Sequence, residues 1–383
     1  MSGKTTILFA VTNELNYDQR MIRICHSLAK VGYTVELIGA GFADSPALQN
    51  QPYAQKRLLL KHRKGKQFYI SYNRKLFNYL RERVQNDRSS QLAICAIDLD
   101  TILPVWLICR RFPHIIPIYD AHEFFTEQYE IKRRPWIKAA WTALERMCLP
   151  AFPNGYTVNQ TLADLFGKRY GHHYTVIRNM PVLHLPSKNE FPPAGLPEKF
   201  ILYQGAVNEG RAFDQLIPAL QKINIPLVIC GEGNYLNQVK SLVEVNGMEK
   251  KVLFLGRIPP EELRKITPYA LMGLTLFDKK GINQFHSLAN RFFDYIMAGI
   301  PQVCVDFPEY RLINEEHNIA LMCPSPDSDT IAGCVNKLLH DNVLYQTLQQ
   351  NCVKVRHSLN WESEQDKLYA FWKSIFISAN PFT

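Results

Sequence analysis

Nowhere in the 383 residues does an apolar run approach the roughly 18 residues that a membrane-spanning helix requires, so no spanning segment is expected. Paired-cysteine motifs are missing as well. Cys25, Cys95, Cys109, Cys148, Cys230, Cys304, Cys323, Cys334 and Cys352 stand singly, mostly inside apolar runs, with no CxxC. That argues against zinc ligation and a disulfide framework and leaves reduced core residues. No repeat at solenoid spacing is present, which excludes a stacked-repeat architecture. Residues 1–6 lead straight into the strand-sized run ILFAV without the cleavage-like end of a secretory leader, and the expected location is the cytoplasm. Acidic residues are scarce in one region. Between 56 and 88, Lys56, Arg57, Lys61, Arg63, Lys64, Lys66, Arg74, Lys75, Arg81, Arg83 and Arg88 face only Glu82 and Asp87. Such a block either attracts a phosphate-rich partner, nucleic acid or an anionic membrane surface, or is a solvated helix face.

The residues that are present are enough to fold twice. At 46% hydrophobic and 21% charged residues the chain can bury a large core, and its length implies two domains of about 150 to 200 residues. Strand-like runs alternate with helix-like stretches: TILFAV (6–11), TVELIG (34–39), LAICAI (92–97), PIYDA (117–121), YTVN (156–159) and TVIRN (175–179) in the first half. The second half has FILYQG (200–205), LVICG (227–231), VLFLG (252–256), MGLTLF (272–277) and QVCVD (302–306). All-apolar strands separated by helices predict parallel sheets covered on both faces. Five prolines in 181–197 mark a linker. The expected division is an N-terminal Rossmann-like domain (1–182), a linker (183–198), a C-terminal Rossmann-like domain (199–360) and a last helix (361–383). Trp361, Leu368, Phe371, Trp372 and Ile375 are its expected anchors.

In doubly wound sheets, ligands bind outside the carboxyl ends of the strands. Gly205 comes directly after one strand, and Gly210 and Arg211 precede a helix, an arrangement suited to a diphosphate or simply to a surface turn. Gly231 and Glu232 form a turn at the same edge, and Gly256 leads into Arg257 and Ile258, whose backbone can meet a flat base. The stretch FHSLANRFFDYIMAGIP (285–301) predicts a helix from about Arg291 to Ala298, stopped by Gly299 and Pro301. Backbone amides over Leu288, Ala289 and Asn290, beside Ser287, would hold a phosphate. Asp294, on the Asn290 face, would accept two ribose hydroxyls; the alternative is that it pairs with Arg291 and caps a buried helix.

Taken in order, Gly205 and Arg211, CGEGN, FLGRIPPEEL and SLANRFFDYIMAGIPQV resemble the C-terminal domain of glycosyltransferase family 4, of the GT-B fold, in a branch with the pattern S-x-P-N-K-x-x-E-Y-x-x-A-G-x-P-V. VTNELNYDQRMIRICHSLAKVGYTVELIG, AIDLDTILP, IYDAHEFFTE and the segment from GYTVNQTLADLFGKRY to VIRNMP agree with it in the first half. The resemblance implies two Rossmann-like domains facing a central cleft and a retaining, metal-independent transfer, with leaving phosphate helping to deprotonate the acceptor. It implies Arg211, His122 and Asp294 as catalytic residues, Arg211 and Arg291 against the diphosphate, and Asp18, Asp98, Asp120, His122 and Glu123 on the acceptor side. His122 would contact the transferred sugar or the acceptor hydroxyl; a hydrogen-bonded turn is the bland alternative. Asp98 and Asp100 form a D-x-D, but the family holds no metal there, and none is expected. The chain departs from the pattern at Asp294 and His286, where glutamates are usual, at Arg291 for lysine, at Ala289 for proline, and at Ala206 for a second phosphate-binding cation.

The expected substrate is a nucleoside-diphosphate-sugar, with no separate cofactor. The expected acceptor is a glycan or lipid-linked hydroxyl in cell-surface polysaccharide or glycoconjugate synthesis. The segment IKRRPWIKAAWTALERM suggests peripheral contact with an anionic inner membrane face, with Trp136, Ile137, Ala140, Trp141 and Leu144 on one side of a helix; a core-facing helix is the alternative. A nucleic-acid partner is not expected. Rival readings are a nucleotide-sugar epimerase of the same fold and a nucleotide-sugar-binding protein without transferase activity.

Overall fold

The computed structural model describes residues 5–128, 131, 133–186, 193–279 and 281–378. The chain divides into two compact units, Met1–Asn179 with Glu364–Thr383, and Met180–Ser363. Residues 187–192 of the expected linker lie outside the described residues.

The first unit is built on strands β1 (Thr5–Glu14), β2 (Thr34–Gly41), β3 (Ala54–Leu59), β4 (Gln91–Ile97), β5 (Ile116–Ala121), β6 (Asn154–Thr157) and β7 (Thr175–Val176). They form one sheet in the order β3-β2-β1-β4-β5-β6-β7, every described pairing parallel. Ile7, Leu8, Phe9 and Ala10 are fully buried, as a central strand covered on both faces demands. Phe9 sits in register with Leu37 on one side and Cys95 on the other. The strand order reverses at β1 and β4, which makes their carboxyl ends the natural place for a site. The apolar spacing of Met21, Ile24, Cys25 and Leu28 gives the helix Gln19–Lys30 a buried face, and its first turn is capped by Asp18, which accepts from the Met21 amide at 3.0 Å.

The second unit holds β8 (Ile201–Gln204), β9 (Leu227–Cys230), β10 (Val252–Gly256), β11 (Met272–Thr275), β12 (Gln302–Val305) and β13 (Ala320–Cys323). Their order is β10-β9-β8-β11-β12-β13, again parallel, with the reversal at β8 and β11. The helix Asn290–Ala298 ends in left-handed Gly299, whose amide bonds the Ile296 carbonyl at 3.0 Å.

Two strands go beyond the sequence expectation. β3 is an edge strand inside the basic block, its sequence AQKRLL carrying cations where an apolar run would announce a strand. β13 is the opposite edge of the second sheet. The basic block is therefore part edge strand and part helix Gly65–Gln85, and several of its cations are in use. Arg57 pairs with Glu14, Arg63 with Asp44, and Arg83 with Glu36 and Asp87.

The last helix, Trp361–Ser378, straddles the division: Trp361 falls in the second unit, where its amide donates to the Pro181 carbonyl at 2.8 Å, and residues from Glu364 onward belong to the first. Leu368 and Trp372 are fully buried there. Trp372 meets Phe9 edge-on at 5.7 Å and Tyr156 at 6.5 Å between ring centroids. Trp372→Ala should lower unfolding free energy by about 3–5 kcal/mol in chemical denaturation; a loss below about 1 kcal/mol, the size of a surface substitution, would contradict this anchoring role.

Candidate functional site

At the carboxyl ends of β8 and β9, two turns lie backbone against backbone. The Gly205 amide donates to Cys230 O at 2.9 Å, and the Val207 amide to Glu232 O at 3.0 Å. A Cβ at Gly231 would stand 1.8 Å from Gly205 O, and one at Gly233 2.2 Å from Val207 O, so these glycines are required by close approach. Gly256 ends β10 beside them, with the Glu232 carboxylate 3.9 Å from where its Cβ would be. Arg257 is exposed and Ile258 half-buried against the local apolar cluster, an open edge of backbone next to an apolar surface.

Arg211 rises between this floor and β11. The residue after it, Ala212, is buried with φ 54°, a left-handed conformation that costs a non-glycine residue on the order of 1–3 kcal/mol. The Arg211 guanidinium lies over the Phe277 ring at 4.4 Å from its centroid. Arg291 reaches the same ring, at 4.7 Å, and the Tyr203 ring at 4.7 Å. Its nitrogens donate to Tyr203 Oη at 3.2 Å and Leu276 O at 3.4 Å, while buried Nε has no partner. One nitrogen also stands 3.5 Å from where a Gly205 Cβ would be. Two guanidinia thus share one phenyl ring above a glycine turn, and the contacts named for Arg291 are with neutral groups.

Asp294 projects from the Asn290 helix and accepts from Gln204 Nε2 at 3.0 Å; Gln204 Oε1 in turn accepts from Thr267 Oγ1 at 2.9 Å. The carboxylate is thereby oriented while half-exposed. The expectation that amides 288–290 would all be open needs correction, because the Ala289 amide donates to Tyr310 Oη at 2.9 Å. Ser287 Oγ donates to the Gln284 carbonyl at 2.8 Å. Leu288 is half-buried and Asn290 exposed. His286, standing where a glutamate was expected, is half-buried and held below its ordinary pKa by burial.

The first unit gathers a second cluster after β4 and β5. Asp120 is fully buried and holds Arg20 at 3.1 Å and His122 Nε2 at 3.1 Å. Asp98 has φ 55° and accepts from the His122 amide at 2.8 Å, with its other oxygen 3.6 Å from His122 Nδ1. Asp100 turns to a different partner, Thr12 Oγ1, at 2.6 Å. Among the described residues, no group of three or more His, Cys, Asp and Glu side chains could hold a metal. Glu123 is half-buried and accepts from Gln128 Nε2. Asp18 and Asp120 were expected on the acceptor side, and the structure commits both to the fold: Asp18 caps a helix, and Asp120 is inaccessible and orients His122.

Burial would lower the His122 pKa, but the Asp120 and then the Asp98 carboxylates override it and hold it up at about 9. Burial pushes Asp98 up to about 8 against the attraction of His122, and Asp100 up to about 7. The carboxylates thus favour the charged form of His122, whose Nε2 lies 3.1 Å from both Asp120 and Arg20 Nε.

Sequence reasoning missed Gln204, Thr267, Phe277 and Arg20. Gln204 had a readable signal, a lone amide ending the apolar strand FILYQG; Phe277 had none, because a phenylalanine after a buried strand looks like core.

Known proteins share this fold. Residues 187–355 match the family model described as glycosyl transferases group 1. An uncharacterized glycosyltransferase of Methanocaldococcus jannaschii is 27% identical over 174 residues, 43% of this chain and 42% of that one, so the match spans less than half of the curated relative. Sucrose-phosphate synthase from Thermosynechococcus elongatus superposes with a TM-score of 0.81 at 15% identity, covering 98% of this chain and 100% of that one. An Anabaena protein, HepE, solved with UDP and glucose, gives 0.73 at 13% identity, with 96% and 99% covered. The fold is GT-B, with two Rossmann-like α/β units.

The close approach at Gly231 can be checked by substitution. Gly231→Ala forces the β8 and β9 turns apart and should lower the melting temperature by several degrees, a loss of about 2 kcal/mol or more; an unchanged melting temperature would refute the contact. Because the folded His122 pKa is raised from 6.5, its stabilisation is fully present below pH 6.5 and lost as pH rises through about 9. The unfolding free-energy difference between the parent protein and His122→Gln should shrink across that window; a difference that widens would contradict the assignment.

Proposed function

We propose that this protein is a glycosyltransferase that moves a sugar from a nucleoside-diphosphate-sugar to a hydroxyl of a glycan or lipid-linked acceptor, with retention and without a metal, in cell-surface polysaccharide or glycoconjugate synthesis on the cytoplasmic side. The observation that carries this reading is the pair Arg211 and Arg291 on the Phe277 ring, beside the Gly205 turn and the oriented carboxylate of Asp294. Two guanidinia set against one ring beside a glycine turn offer a diphosphate charge-assisted hydrogen bonds from fixed donors. Asp294 lies on the same helix as Arg291 and is aimed by Gln204, as an acceptor for vicinal ribose hydroxyls requires. The Anabaena relative's complex with UDP and glucose supports this class of donor.

In this mechanism the energetically demanding event is departure of the diphosphate as the sugar becomes oxocarbenium-like. Fixed guanidinium donors stabilise that growing charge without reorganising, and one such donor is worth roughly 2.7–4 kcal/mol. The strained Ala212 backbone fixes the direction in which Arg211 leaves the chain. His122 Nδ1, the ring nitrogen not held by Asp120, offers a hydrogen bond to a sugar or acceptor hydroxyl. The acceptor proton then goes to the leaving phosphate, which accords with retention.

Titration of UDP- and GDP-sugars by calorimetry, with a subsequent transfer assay using the donor that binds, tests the reading. Arg211→Ala and Asp294→Ala should each cut turnover about 10²-fold or more with the melting temperature nearly unchanged. Full turnover in both variants, or donor binding by the parent protein with no transfer to any hydroxyl acceptor, would sink it.

A further inference from the structure

The helix Pro135–Cys148 in the first unit carries two different apolar faces. Trp141 is the core-facing one: its ring packs edge-on against Phe125 at 4.9 Å and Tyr69 at 5.4 Å, and Leu144 joins it against the buried cluster. The sequence expectation that put Trp136, Ile137, Ala140, Trp141 and Leu144 on one membrane-facing side is thereby corrected. A separate stripe at spacings of four, three and four, Trp136, Ala140, Ala143 and Met147, points to solvent. Trp136 is 90% exposed and Met147 49%, with Ile137 beside them at 39%.

The surroundings of this stripe are cationic. Arg133, Arg134 and Arg146 are exposed, while the helix's single acid, Glu145, is buried and paired with Arg169 at 3.1 Å. The contact of Tyr69 with Trp141 ties the helix to the first turns of Gly65–Gln85, where Lys66 is exposed and Ile70 is 67% exposed, and Lys61 and Lys64 are exposed in the segment just before it. A fully exposed tryptophan on an apolar stripe flanked by arginines fits the headgroup region of a bilayer, where the indole sits at the boundary and the cations meet anionic phosphates. Among the described residues no helix is long and apolar enough to cross a membrane, so the stripe would lie on the surface.

We infer that the exposed face of helix Pro135–Cys148, with the cationic start of helix Gly65–Gln85, is a docking surface for a bilayer carrying anionic headgroups. This goes beyond the catalytic reading and does not depend on it. The test is co-sedimentation of the full chain with vesicles of phosphatidylcholine alone and with added phosphatidylglycerol, at low and high salt. The protein should bind only the anionic vesicles and release at high salt. Trp136→Ser and Arg133→Ala should each weaken partitioning about fivefold or more, with melting temperature and nucleotide binding unchanged. Met147→Ser provides an independent check on the same stripe. Failure of the parent protein to bind anionic vesicles, equal binding by Trp136→Ser, or a dimer that Trp136→Ser converts to monomer would overturn the inference.

Discussion

Two guanidinia on one phenyl ring are the constraint around which the second unit is arranged. Arg211 comes from the turn after β8 and Arg291 from the helix Asn290–Ala298, and the meeting of β8 and β11 at the reversal of strand order sets them on Phe277. Unlike a surface cation, Arg291 is 6% exposed, so its charge is only weakly screened. The glycine turns beneath leave backbone space where an anion can approach.

Strain marks both candidate centres. Among the described residues, non-glycine residues with positive φ are Asp98, Ala212 and Asn318, and the first two fall in the His122 cluster and beside Arg211. Asp98 is half-buried and Ala212 buried, the setting in which such backbone states persist. In the first unit the consequence is electrostatic. Arg20 and His122 hold Asp120 below the usual carboxylate range despite its burial, and its charge in turn favours the protonated form of His122.

The parallel sheets were legible because their central strands are apolar on both faces, as in ILFAV and LAICAI. The edges were not: β3 sets Gln55, Lys56 and Arg57 together between Ala54 and two leucines, so its run AQKRLL looks like part of a basic surface. Strand-end glycines could be found by inspecting the first residues beyond each strand, and Asp294 by its place on the helix that Gly299 and Pro301 stop. Their partners could not, because Gln204, Thr267 and Phe277 become site residues only once distant segments meet. The same limit explains the helix Pro135–Cys148. Periodicity shows that Trp136 and Trp141 lie on an amphipathic helix, but only the packing of Phe125 and Tyr69 decides which indole is core. Asp18 and Asp120 show a further limit, since an acid after a strand can serve a cap or a buried arginine as readily as a ligand.

A crystal structure with a nucleoside diphosphate bound tests the central claim most directly. The diphosphate should lie against Arg211 and Arg291 above the Gly205 turn, with both ribose hydroxyls on Asp294. A diphosphate seated elsewhere, with the two guanidinia still resting on Phe277 and touching no phosphate oxygen, would contradict it.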